Sequence, residues 1–178
     1  MARYLFPVFG ILMMIIAAGK AAATENHEPR HAGIVAGSAE KQLVHLYFSD
    51  GKGRYLVSEE RFYHLPDEPV DFGILLTHAL FEGSKAGRYR VLLKGMNLRA
   101  FFITDRGTAV VDIDKGIKNK VLSCREELLA VFSIVNTLIV NISGIKQVKI
   151  LKGGSGATTF AGHVDITTPL KADMLLIR

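Results

Sequence analysis

Residues 123–150 read SCREELLAVFSIVNTLIVNISGIKQVKI, and this stretch decides the fold. Ser123 and Glu126 have capping-box spacing, an apolar run follows, and Gly144 supplies the stop. The spacing therefore predicts a helix over 124–141 and a strand over 145–152. Leu128, Leu129, Val131, Phe132, Ile134, Val135, Leu138 and Ile139 cover well over half the helix circumference, so it must be covered on more than one side. Any exposed remainder would be a contact surface for another chain. Asn136 interrupts the apolar surface and, if buried, needs hydrogen-bond partners, which a neighbouring backbone would supply. Lys146, Lys149 and Lys152 give the strand the charge of an edge.

Upstream, Leu43–Phe48 and Arg54–Ser58 flank the turn chemistry of residues 49–53 and predict a hairpin. Phe72, Leu75, Leu76, Ala79 and Leu80 form one helical stripe, which Asp71 can cap and Gly83 end; His78 points away from it. A second hairpin is expected from Leu98–Thr104 and Thr108–Ile113, joined at Asp105-Arg106-Gly107. Downstream of Lys152, Gly153-Gly154-Ser155-Gly156 is a flexible connection without the order of a phosphate loop. Thr158–Phe160 and His163–Ile166 look extended.

The chain has 178 residues, 49% hydrophobic and 22% charged, which describes one globular domain with additions. Arg3, the uncharged run Leu5–Ala18 and Ala21-Ala22-Ala23 make residues 1–23 an export signal or an N-terminal membrane anchor. Residues 24–42 read as a linker. The net charge of +5 is spread along the chain, whereas nucleic-acid binding wants a clustered stripe. Cys124 is the one cysteine, so the fold rests on its core without a disulfide, and no lipid-bearing cysteine follows the apolar run.

Candidate chemistry is sparse. Asp112 and Asp114 project to one side of a strand, but the other donors of a calcium loop are missing, and a solvated strand edge explains them. His163 and Asp165 would share a side of the last extended segment and fix the C-terminal turn; zinc would need further ligands. His45 is a lone strand histidine, and Cys124 a small residue in a first turn. No catalytic, cofactor-binding or metal-ligating residue is assigned.

HLYFSD (45–50), RYLVSEER (54–61), LLTHALFEG (75–83), TAVVDID (108–114), SIVNTL (133–138), VKILKGG (148–154) and AGHVDITTPL (161–170) arrive in an order that resembles the GerM domain of bacterial envelope and sporulation proteins. The resemblance covers about residues 43–170, leaving 171–178 as a C-terminal tail. It implies an α/β (α+β) domain, a compact two-layer arrangement of sheet and helix with a ring-building-like βαββα core and an added N-terminal hairpin. It also implies a location outside the cytoplasmic membrane and binding to protein partners, with no catalytic residues to carry over. The expectation is a non-catalytic exported assembly module that meets an envelope protein or copies of itself, with neither nucleic acid, cofactor nor small-molecule substrate. The rival is a metal-dependent or wall-polymer-binding envelope enzyme using His163, Asp165, Asp112 or Asp114.

Overall fold

The capped helix forms where the sequence puts it. In a computed structural model that describes residues 41–90, 92, 95–114 and 122–178, α2 spans Cys124–Asn141. Ser123 Oγ accepts from the Glu126 N–H, and Glu126 Oε2 accepts in turn from the Ser123 N–H at 2.9 Å, which completes the capping box. Ahead of it the chain forms β1 (Lys41–Ser49), β2 (Leu56–His64), α1 (Pro69–Glu82), β3 (Leu98–Ile103) and β4 (Thr108–Ile113). After it come β5 (Gln147–Lys152) and a short 3₁₀ turn at Met174–Leu176. The order contains the expected βαββα run, and the α/β class holds. Residues 1–40, with the expected export segment and most of the linker, lie outside the described residues.

Two sheets form. β1 and β2 make an antiparallel pair, and β3, β4 and β5 make a three-stranded sheet in that order. β4 and β5 run parallel, as strands joined through an intervening helix can. α1 packs against β3, β1 and α2, while α2 packs against β1 and β5, so the helices touch both sheets. One core results, with Leu46, Leu76, Val111, Leu129, Ile134, Leu138 and Ile150 all buried within it.

Gly73 sets the distance between α1 and the second sheet. A Cβ at this position would lie 2.1 Å from Cζ of Phe101, so only glycine lets the ring lie against the helix backbone.

Three expectations need correction. β2 runs on to His64, well past Ser58. The charges of Glu59-Glu60-Arg61 mask its period, because Glu59 and Arg61 bury together on one face. Asp71 does not cap α1: Pro69 occupies the first turn, Glu68 is the N-cap without a side-chain bond, and Asp71 sits inside the first turn, where a negative charge suits the helix dipole. Residues 158–166 form no strand, only a narrow loop closed by Ile166 N–H to Thr158 O and Phe160 N–H to Val164 O, each 3.0 Å. Residues 171–178, the expected C-terminal tail, pack onto the fold. Leu176 is buried, Ile177 bridges Leu56, and the Arg178 N–H donates to Leu56 O at 2.9 Å.

The free edge of β1 is covered by α2 through polar side chains. Ser133 Oγ donates to Tyr47 O at 2.6 Å, and Thr137 Oγ1 accepts from Tyr47 N–H at 3.1 Å. Asn141 serves both His45 N–H and His45 O at 2.8 Å. These residues recur every four positions and so stack on one helix face, where they satisfy backbone groups that an open edge would offer to another strand.

Candidate functional site

The residues singled out from sequence do not converge. Asp112 is buried on the central strand, paired to Arg99 at 3.2 Å and accepting from Gly154 N–H at 2.9 Å, so it is not a solvated edge. Asp114 accepts from the Asn97 side chain at 2.8 Å. Asp165 bonds the Thr167 hydroxyl at 2.6 Å, and this bond, with the Thr167 N–H, lowers its pKa. His163 turns instead to Glu127, Nδ1 to Oε2 at 2.8 Å, which corrects the expected His163/Asp165 pair. Among the described residues no three His, Cys, Asp or Glu are grouped to hold a metal ion. Cys124 is exposed. Asn136 does join a neighbouring backbone, donating to Asp173 O at 2.9 Å and accepting from Asp173 N–H at 3.0 Å.

Two buried carboxylates that sequence reasoning passed over organise the loops. Glu127 on α2 accepts from the N–H groups of Ala161, His163 and Val164 at 2.6, 2.9 and 2.9 Å. Burial raises its pKa, and these N–H groups with the His163 imidazole outweigh burial and lower it. Its signal was available: Glu127 shares a helix face with Ala130, Val131, Ile134 and Leu138, all fully buried. Glu59 on β2 accepts from the Ser84 hydroxyl, from Lys85 N–H at 3.0 Å and from Ala86 N–H at 3.2 Å. Arg61 clamps it with Nε at 2.8 Å and Nη2 at 2.6 Å. Here too burial raises the pKa, and the donors bring it down to about 2.

The features that suggested a contact surface are mostly used inside the fold. Leu129, Val131, Ile134, Val135 and Leu138 of α2 are buried. On β5, which is an edge, Lys149 Nζ donates to Ile166 O and Thr167 O at 2.7 Å, and Lys152 Nζ donates to Phe160 O at 2.6 Å. These lysines fasten the C-terminal segment.

Exposed apolar surface lies elsewhere. Leu43 and Phe62 are cross-strand partners at the open end of the β1–β2 hairpin. Phe62 is 65% exposed, Leu43 36% and Leu65 41%. With Lys41 and Gln42 they line a hollow of about 450 Å³. No helix among the described residues is long and apolar enough to cross a membrane.

Comparison with solved structures shows the fold. The first GerMN domain of the sporulation protein GerM from Bacillus subtilis is 24% identical with a TM-score of 0.59, over 73% of this chain and 97% of that one. The tandem GerMN domains of the same protein also give 24% and 0.59, over 74% of this chain and 46% of theirs, so this chain spans about half of the tandem pair. A candidate lipoprotein from Clostridium perfringens is 23% identical with a TM-score of 0.52, over 74% of this chain and 88% of that one. No curated protein matches. The Germane family model, described as "Sporulation and spore germination", matches residues 45–158, which is most of the folded body. The chain belongs to the Germane (GerM) domain family.

Proposed function

We propose that this protein is a non-catalytic interaction module of the bacterial cell envelope, exported by residues 1–23 and joined through its folded domain to another polypeptide. One observation carries the reading: Phe62, Leu43 and Leu65 present apolar surface together at the hairpin end, where an isolated monomer gains nothing from exposing an aromatic ring. Family membership and the fold shared with the GerMN domains of a sporulation protein support it. The hydrogen bonds of His163, Asp165, Asp112 and Asp114 to four different partners weigh against the enzyme reading.

Crosslinking of the full-length protein in living cells tests the proposal. The expected result is a discrete partner or a self-ladder that Phe62→Asp removes while leaving thermal unfolding unchanged. Bait alone at every crosslinker length, or a pattern that Phe62→Asp does not alter, overturns it.

A further inference from the structure

The ring of Tyr55 gathers three guanidinium groups from three distant parts of the chain. Arg54 comes from the turn before β2, Arg125 from the start of α2 and Arg178 from beyond the 3₁₀ turn. Their Cζ atoms lie 5.8, 5.9 and 4.8 Å from the ring centroid. The arrangement is built by the backbone as well as the ring, since Arg125 donates to Arg54 O and the Arg178 N–H donates to Leu56 O at 2.9 Å.

Charge around the ring is poorly balanced. Arg54 has Asp50 at 3.5 Å, whereas among the described residues neither Arg125 nor Arg178 forms an ion pair. Arg54, Arg125, Arg178 and Lys52 are all exposed. Lys52, Arg125 and Tyr89 also line an adjoining hollow of about 310 Å³. The acid in its wall, Glu126, is engaged by the capping box and by the Tyr89 hydroxyl at 3.2 Å. Lys52, Arg125 and Arg178, held near one another on one surface, raise the local potential and draw an anion to it.

We propose that this surface docks an acidic segment of a partner polypeptide, whose Asp or Glu carboxylates sit on Arg125 and Arg178 while an apolar side chain lies on Tyr89. The inference rests on the assembly reading and gives it a chemistry. A guanidinium fork takes a carboxylate in two parallel hydrogen bonds, and Arg and Tyr are the side chains that anchor protein interfaces. A polyphosphate would satisfy the charges but leave the exposed Tyr89 ring without an apolar complement, and a polypeptide supplies both.

The test places a photo-crosslinking amino acid at Lys52 of the full-length protein in cells and, in a parallel strain, at Phe62. The expected capture at position 52 is a peptide bearing Asp or Glu. Its yield falls about tenfold in the R125E/R178E variant and less in R125K/R178K, which keeps the charge and loses the fork. Equal thermal unfolding of the variants shows that the fold is intact. Capture of lipid or polysaccharide, of a peptide without acidic residues, or of the same yield after charge reversal overturns the inference. So does capture at position 62 with none at 52, a result that leaves the assembly reading standing; silence at both positions removes the two together.

Discussion

Glu59 and Glu127 solve one problem with different counter-charges. Each is a carboxylate taken into the protein to hold a loop by its backbone N–H groups, residues 84–86 for Glu59 and 161–164 for Glu127. Glu59 is clamped by Arg61, itself only 7% exposed and further bonded to Gly83 O at 2.7 Å. Glu127 is fully buried, yet its neighbour His163 is 42% exposed and charged only when protonated. Three loop N–H groups bind Glu127 against two for Glu59. The difference teaches that a buried carboxylate tolerates a weak counter-charge when enough backbone donors converge on it.

If that is right, removing Glu127 has the largest effect of any single change at either loop. Glu127→Ala leaves three loop N–H groups without their acceptor and opens a gap under residues 161–164. The expected loss is about 4 kcal/mol of unfolding free energy, measured by urea denaturation at neutral pH. A loss under about 1 kcal/mol would mean that water replaces the carboxylate and that the backbone donors are not what holds the charge.

Acid weakens both sites. Glu59 is lowered from 4.5 to about 2 in the folded protein, so its contribution is complete above pH 4.5 and is lost as the pH falls toward 2. Over that window the shift corresponds to about 3 kcal/mol of stability. Glu127 is also lowered, so its contribution is lost in the same direction, as the pH drops below the ordinary glutamate range. Stability measured from pH 6 to pH 2 should therefore fall less steeply in Glu59→Gln than in the parent, after allowing for the variant's own cost at pH 6. Parallel curves would show that Glu59 does not carry the acid sensitivity.

Neither carboxylate stands out in the sequence for the role it plays, and the contrast with what does stand out is physical. α2 and the β3–β4 hairpin follow from local chemistry: Ser123 and Glu126 are three residues apart, and Gly107, with φ of 78°, lies in the turn itself. α1 is legible from its stripe and from Gly83, whose φ of 98° suits glycine, although Pro69 opens the helix where Asp71 seemed the cap. Glu127 was hidden because it follows Glu126, whose capping role accounts for an acidic first turn. Only its register with Ala130, Val131 and Ile134 shows that it points inward. Ser133, Thr137 and Asn141 look like gaps in an apolar helix until β1 is laid beside them, and their acceptors and donors lie more than 80 residues away in the chain. Pairings over such distances leave no trace in a local window, so the site residues were less legible than the elements that carry them.

The counter-charges themselves give the smaller effects and the sharper test. Arg61→Met keeps an unbranched stem but loses the guanidinium that lies over Phe48, clamps Glu59 and donates to Gly83 O, with an expected loss of about 2 kcal/mol. His163→Ala removes one contact to Glu127 from a half-exposed side chain and leaves the His163 N–H in place, because a substitution at this position keeps its backbone. Its expected cost is about 1 kcal/mol. Thermal unfolding of both variants beside their parents reads the ordering directly. If His163→Ala proves as damaging as Arg61→Met, the imidazole and not the three N–H groups holds Glu127, and the two loops are built on the same principle after all.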